Sequence, residues 1–285
     1  MRVTALRIYP VKSLGGMNVE RAEVEPWGLA HDRRWCLLDA AGTTITAREV
    51  NHLLGLHAEP GDTDGIRITD QRGESILVTV PVDTGAQPFE HERLGVVRCA
   101  AADTNAWLSA RVGRPTTLVW QPNPTTRPIA ENRGGLTGEY LSLADAGPLL
   151  LVSLASLAQL DRWIVEGADR PDAHPDPLNV VRFRPNVVID GGEPFAEDGW
   201  SSVRIGGVNF RKTMICDRCV MPTIDPDTLA GGKEPTRTLA RHRRWDRKTW
   251  FGIRLVPLGA GTIAEGDAVD VLTGNPESNA SAVSG

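Results

Sequence analysis

Cysteine is scarce in this chain: Cys36, Cys99, Cys216 and Cys219 are the only four in 285 residues. That excludes a disulfide framework and fits a reducing compartment, where a close cysteine pair is more often redox-active or metal-binding than structural. Long apolar runs are absent too. The longest uncharged stretch, between Asp145 and Asp161, is interrupted by Gly147, Pro148 and two serines. It falls short of the ~18 apolar residues a spanning helix needs, so no membrane span is expected. The opening MRVTALRIYP carries no apolar core of a secretory signal, and a cytoplasmic location is the expectation. There is no basic surplus: 31 Lys and Arg face 36 Asp and Glu, for a formal charge of −5. A dedicated nucleic-acid binder would show the opposite balance. Lysine occurs only at Lys12, Lys212, Lys233 and Lys248, so arginine supplies the other basic residues. Codon usage accounts for such a bias in bulk; rigid, forked anion binding would account for it locally. No internal repeat is visible.

What is present reads as a folded, β-rich chain. The apolar fraction of 41% and charged fraction of 24% are ordinary for a globular protein and rule out extended disorder. The length suits two domains, or one with a satellite. Short strands are predicted at Val3 to Tyr9 and Val19 to Val24. Hairpins are predicted from Trp35–Leu38 into Thr43–Thr46, and from Ile66–Thr69 through Asp70–Gly73 into Ile76–Val80. A helix capped at Asp103 or Thr104 should end at Gly113. Residues 121–135 (QPNPTTRPIAENRGG) read as a linker or long loop. A second helix follows Ser153, with Leu154, Leu157, Leu160 and Ile164 on one face. After a loop from Pro171 to Pro177, strands return at Val187–Ile189, Val203–Ile205, Val208–Phe210, Ile253–Val256 and Ala268–Leu272, with a short helix near Leu239.

Three groups of residues carry chemistry. The sharpest is Cys216-Asp217-Arg218-Cys219, followed by Asp225-Pro226-Asp227-Thr228. An adjacent arginine lowers a thiol pKa, and Arg218 is placed to act on Cys219. The pair reads as a dithiol switch, as half of a zinc site that nothing else completes, or as the source of one ligand to a softer transition metal. Second, Arg182-Phe183-Arg184-Pro185-Asn186 opens a buried apolar strand; two arginines and an asparagine there suit an anion. Third, Lys12-Ser13 lies in a glycine-bearing loop that suits a phosphate. None of the six histidines has ligand spacing, and His31 beside Asp32 reads as structural. Cys36 and Cys99 read as small core residues.

Taken in order, YPVKSLGG (9–16), DRRWCLLD (32–39), TARE (46–49), RFRPNVVIDGGEPFAEDGW (182–200) and CDRC…TIDPDT (216–228) resemble the MOSC family. The resemblance is to members with a paired N-terminal β-barrel domain, and it runs from about Val3 to Leu272. It implies a mixed α/β, β-rich fold: a MOSC N-terminal β-barrel-like domain over 1–118, a Pro/Arg-rich linker or loop over 119–135, a MOSC β-barrel domain with a few helices over 136–274, and a disordered tail over 275–285. It implies a molybdenum cofactor (a molybdopterin dithiolene ending in phosphate) and no pyridoxal phosphate. Cys219 matches the metal ligand. Lys12, Ser13, Arg33, Arg184 and Asn186 match cofactor-contacting positions, Arg218 the residue before the ligand, and Ser153 falls near another contacting segment. Asp217 stands where relatives often carry a small hydroxylated residue.

The implied reaction is reduction of an N-hydroxylated compound by oxygen-atom transfer to molybdenum. Asp225, if burial raises its pKa, is the candidate proton donor, whereas Asp227 reads as a turn residue. Some relatives carry a fused ferredoxin-like domain; this sequence lacks those cysteines, so no iron–sulfur cluster is expected in it. A separate ferredoxin, flavoprotein or haem protein is then the implied electron donor, with a small N-hydroxylated molecule as substrate. A non-catalytic carrier of the cofactor or of sulfur would use the same anion-binding residues. A thiol switch on Cys216 and Cys219 is the other alternative.

Overall fold

The computed structural model describes residues 1–61, 65–82, 88–167 and 177–272. The tail expected over 275–285, and the loop from Pro171 through residue 176, lie outside the described residues.

The central element is a nine-stranded sheet. Its order runs Val269–Val271, Ser202–Ile205, Val208–Asp217, Lys248–Pro257, Leu149–Ser153, Val187–Asp190, Arg2–Ile8, Met17–Val19, with Arg244–Trp245 attached to Lys248–Pro257. Neighbours are antiparallel except Leu149–Ser153 and Val187–Asp190, which run parallel. A parallel pair needs a crossover, and helix α2 (Leu154–Glu166) lies in that connection. Its predicted face holds: Leu157, Leu160 and Ile164 pack with Phe183, Phe251 and Leu239 of helix α3 (Thr236–His242). Helix α1 (Ala102–Val112) ends at Gly113, whose φ of 81° is the left-handed cap that glycine adopts without strain.

The first strands of the chain complete the sheet of its second half. Arg2–Ile8 pairs with Val187–Asp190, and Arg21–Glu25 with Gly261–Ala264. Val3, Leu6 and Ile8 share one core with Val187, Ile189, Ile253 and Ile263. The predicted strand from Val19 to Val24 is therefore two strands, because its halves pair with different partners. Spatial packing and the boundary expected near residue 118 thus follow different lines.

The remaining N-terminal chain builds a second core under two smaller sheets. One has Trp35–Leu38, Thr117–Trp120, Gly95–Cys99 and Phe89–His91; the other has His57–Pro60, Gly65–Thr69 and Ser75–Thr79. The hairpin around Asp70 forms as predicted, its carboxylate accepting from the N–H groups of Arg72 and Glu74. The other predicted hairpin forms only over a short stretch: Leu38 bridges Thr44 antiparallel, Ile45 N–H donates to Leu37 O at 2.8 Å and Asp39 N–H to Thr43 O at 2.9 Å. Trp35–Leu38 is buried throughout and takes its longer ladder from Thr117–Trp120, while Ile45 of the returning stretch is buried in the same core as Trp35 and Leu37. Residues 121–135 pack as an ordered loop with two short 3₁₀ turns, burying Gln121 and Ile129.

Candidate functional site

Loops from both halves of the sequence meet in one cleft. Lys12, Ser13, Arg33, Arg184, Asn186, Arg218 and Cys219, seven of the predicted residues, all line it. Arg48, Asp145, Asp217 and Arg254 line it as well.

The floor begins at the turn after Arg2–Ile8. Lys12 is fixed by its N–H on Trp35 O at 2.8 Å, and Ser13 follows with a φ of 71°. Gly16 must be glycine, since a Cβ there would collide with Ile8 O and the Tyr9 ring. Arg33 and Arg184 also hold left-handed backbone, at φ 49° and 56°. Such strain in non-glycine residues persists only where surrounding structure enforces it, and it gathers at functional sites. Arg184 closes the 3₁₀ turn Val180–Phe183, which Asn179 caps by accepting from Val181 N–H. Pro185 disfavours the right-handed helical region at Arg184.

These residues form one knot of charge around Tyr9. Asp32, 1% exposed, accepts from Tyr9 N–H at 2.8 Å and from Arg33 Nη1 at 2.6 Å. Arg33 also donates to Asn186 Oδ1 at 3.0 Å and to Arg184 O at 3.2 Å. Asn186 Oδ1 accepts from Leu150 N–H, and its Nδ2 donates to Arg7 O. Its amide therefore ties three segments together and aims Arg33. Arg184 Nη1 donates to Leu14 O at 2.7 Å, and its Cζ lies 4.2 Å from the Tyr9 ring centroid, where Arg33 Cζ lies at 4.6 Å. Burial, with Arg33 adding to it against the pull of Tyr9 and Asp32, pushes the Arg184 guanidinium down to about 10.

At the mouth, Lys12 Nζ meets Asp145 Oδ1 at 2.7 Å. Desolvation would raise the Asp145 carboxyl, but Lys12, then Arg48 and Arg33, hold it well below the usual carboxylate range. Asp217 is pulled down similarly: desolvation opposes, and Arg254 (2.6 Å) and Arg133 (3.1 Å) prevail. Sequence reasoning left Asp217 without a partner; its pairs come from Arg254 and Arg133, distant in the chain. Asp145 went unnoticed because nothing local marks it.

The cysteine pair divides. Cys216 is 6% exposed and accepts from Arg218 Nη1 at 3.1 Å, while Cys219 is exposed. The expectation that Arg218 serves Cys219 is corrected here: its guanidinium turns back to Cys216 and to Phe183 O at 3.0 Å. Cys36 is fully buried, and burial, against Lys12 and Arg127, pushes its thiol up to about 12.

Two predicted residues are not brought to the cleft. Ser153 ends a strand whose first residues, Leu149 and Leu150, line the cleft; it lies at the far end, 3% exposed. Asp225 borders a different depression. Its Oδ1 accepts from the N–H groups of Thr228 (2.8 Å) and Asp227 (3.0 Å), and its Oδ2 pairs with Arg182. The Thr228 N–H foremost, then its hydroxyl, Asp227 N–H and Arg182, lower this carboxyl against slight desolvation, so burial does not raise it. Asp225 performs the turn role assigned to Asp227 from sequence.

A fold with an N-terminal barrel-like part, a second β-rich part and this cationic, thiol-bearing cleft defines a class. The chain belongs to the MOSC family: the MOSC N-terminal beta barrel domain matches residues 1–115 and the MOSC domain matches residues 139–270. It is 31% identical over 292 residues to mitochondrial amidoxime-reducing component 1 of Homo sapiens, covering 95% of this chain and 82% of that protein. It is also 31% identical over 271 residues to a molybdenum cofactor sulfurase of Solanum lycopersicum, covering 89% of this chain. The chain spans 33% of that sulfurase's length.

The donor set fits an anionic, thiol-ligated group. Arg184 Nη2 and Arg218 Nε are shielded from water and have no partner, and one exposed sulfur stands beside them. Among the described residues, no three His, Cys, Asp or Glu side chains gather as a metal cage. Among the described residues, no helix is long and apolar enough to cross a membrane.

Proposed function

We propose that the cleft holds a molybdenum–pterin cofactor with Cys219 Sγ as its protein ligand. The protein then reduces N-hydroxylated compounds: R–NH–OH + 2 e⁻ + 2 H⁺ → R–NH₂ + H₂O. When bound, the cofactor supplies the two-electron redox chemistry and the site that accepts oxygen. The observation that carries this reading is the exposed Cys219 on the rim of a cleft with two buried, unpartnered guanidinium nitrogens. The likeness to amidoxime-reducing component 1 supports it.

The chain's own residues bind, orient and exclude. Lys12, Arg33, Arg184 and Arg218 offset anionic charge, and Ser13 lies among them. Asn186 and Asp32 act through Arg33, whose guanidinium they hold in place. Asp145 and Asp217 are held ionised by their cations and have no proton to give at neutral pH. Protons therefore enter with water at the open mouth. Electrons come from a separate ferredoxin, flavoprotein or haem protein.

The test combines metal analysis, detection of a phosphate-bearing pterin, and turnover by the chemically reduced protein. We expect near-stoichiometric molybdenum and conversion of an amidoxime to its amidine. Protein that converts no N-hydroxylated compound yet hands cofactor to an apo-enzyme would instead be a carrier, the role to which the sulfurase likeness points. Absence of molybdenum and pterin would sink both readings.

A further inference from the structure

One stretch breaks the acidic balance of the chain. Residues 236–250 hold six basic residues, Arg237, Arg241, Arg243, Arg244, Arg247 and Lys248, against the single acid Asp246, whereas the whole sequence has 31 against 36. Two of the six are engaged inside the protein: Arg237 pairs with Glu234, and buried Arg243 pairs with Asp198. Arg241, Arg244, Arg247 and Lys248 are exposed. Among the described residues the three arginines have no ion pair, and Lys248 approaches Asp217 only at 3.8 Å.

The fold presents these cations on a hairpin. Arg244–Trp245 pairs with the start of Lys248–Pro257, and the turn between them is Asp246-Arg247, at φ 51° and 60°. Asn-Gly is the usual occupant of a two-residue turn of this hand. Arginine at its second position holds an unfavourable backbone and sets a cation at the tip. Trp245 faces Lys248 across the pair, is 40% exposed and stacks on Trp250 at 5.5 Å, so one aromatic face stands among the charges.

The hairpin is joined to the loop that carries Cys219. Arg218 N–H donates to Thr249 O at 2.8 Å, Thr249 Oγ1 donates to Arg218 O at 3.3 Å, and Asp217 lies opposite Trp250 in the ladder. Cys219 follows directly and is exposed, as is Val220 after it. Electron transfer weakens steeply with distance, so a carrier must settle close to the group it reduces. Complexes of this kind are small and steered by charge. Four exposed cations suit the carboxylates of a compact partner; they are fewer than the roughly six to ten phosphate contacts of a nucleic-acid binder.

We propose that residues 241–248 form the docking face for an acidic one-electron carrier protein, its carboxylates meeting Arg241, Arg244, Arg247 and Lys248 beside the loop of Cys219. This rests on the function proposed above and adds to it the place and the charge of the donor. Two reduced carriers dock in turn and each is oxidised by one electron. Together they supply both electrons of R–NH–OH + 2 e⁻ + 2 H⁺ → R–NH₂ + H₂O, the protons coming from water.

The test uses the full chain loaded with its cofactor. The probes are an acidic [2Fe–2S] ferredoxin, an acidic flavodoxin and, for contrast, a basic cytochrome c. Calorimetry at low salt should show at least one acidic carrier binding with a Kd below about 100 μM, weakened about tenfold at 0.5 M salt, and no binding of the basic one. Arg244→Glu combined with Arg247→Glu should weaken that binding, and raise the KM for the carrier, on the order of tenfold. Turnover driven by dithionite-reduced methyl viologen should stay within about twofold, with an unchanged thermal melt. Arg21→Glu combined with Arg72→Glu, both exposed elsewhere, makes the same change in net charge and should do neither. Carbodiimide coupling should join carrier carboxylates to Lys248.

No saturable binding of either acidic carrier below about 100 μM would overturn the proposal. So would equal binding of the basic cytochrome, equal losses in the two double variants, or a viologen-driven rate that falls as far as the carrier-driven one. Hairpin-dependent binding to phosphatidylserine vesicles in place of either carrier would make this face a membrane contact instead. Molybdenum is measured on the same samples. Hairpin-dependent carrier binding by protein that holds no molybdenum and turns nothing over defeats the function reading alone; viologen-driven turnover with carrier-driven turnover indifferent to the hairpin variant defeats this docking face alone.

Discussion

The floor of the cleft and its rim are built on opposite terms. On the floor, Asp32, Arg33 and Asn186 close their hydrogen bonds on one another and on backbone groups, and both Asp32 and Asn186 are 1% exposed. At the rim, Cys219 is exposed and Arg218 keeps one nitrogen unpartnered. A buried charge left without its counterpart is costly, so Asp32, Arg33 and Asn186 close on one another, while Arg184 Nη2 beside them stays unpartnered. Ligation needs a sulfur within reach, so the rim leaves its reactive atom open. The division is sharpest between Cys216 and Cys219, one bonded by Arg218 and buried, the other neither.

The widest gap between rim and floor should come from the two cysteines. Cys219→Ser is expected to lose bound molybdenum and to lower N-hydroxy reduction on the order of a hundredfold or more, with an unchanged thermal melt, because an exposed thiolate ligand is replaced by a neutral hydroxyl. Cys216→Ser should retain the metal and lose no more than about threefold. Equal losses in both variants would erase the distinction drawn here.

On the floor, the effect should fall on stability. Asp32→Asn keeps an acceptor for Tyr9 N–H but leaves the Arg33 charge buried without its partner. A loss of about 3–5 kcal/mol is expected in urea denaturation. Asn186→Leu strands the Leu150 N–H and Arg7 O contacts and should cost about 1–3 kcal/mol, together with reduced cofactor retention through a misplaced Arg33. A floor variant that melted like the parent would show that the knot is not what holds it.

Acid should loosen the mouth. The carboxyls of Asp145 and Asp217 are depressed in the folded state, so their stabilisation is full above the unfolded carboxylate range near about pH 4 and is lost as pH falls through their lower folded values. Urea midpoints followed from neutral pH into that range should fall more steeply in the parent than in Asp217→Asn; parallel curves would remove Asp217 from the account. The smallest effect is chemical. Iodoacetamide at about pH 8 should label Cys219 first and leave Cys36 unlabelled in the native protein, since burial pushes the Cys36 thiol up to about 12.

Much of the site was legible before the fold. Lys12-Ser13, Arg184-Pro185-Asn186 and Cys219 sit in short motifs whose backbone needs, such as Gly16 after the lysine loop and the turn before Pro185, are written locally. Other roles were not. Arg218 seemed aimed at its sequence neighbour Cys219, but a long arginine stem reaches whatever packing offers, here Cys216 and Phe183 O. Asp225 read as a candidate acid; the turn at Asp227 and Thr228 supplies N–H groups that keep it ionised instead. The hairpin into Thr43–Thr46 stays short for a similar reason: Trp35–Leu38 takes its longer ladder from Thr117–Trp120, a partner distant in the chain.

By itself the sequence determined the β-rich character, the amphipathic face of α2, the family and the short motifs that supply cations and sulfur, because these depend on spacing and on neighbours within a few residues. Tertiary structure alone decided that strand Arg2–Ile8 closes the sheet of the second half, and that Arg33 meets Asn186 and Arg184 from the opposite half. It also decided that Lys12 pairs with Asp145 and that Cys216 is covered while Cys219 is not. Long side chains and sheet edges take their partners from whatever the packed core brings within reach, and that selection is made across the whole molecule rather than along the chain.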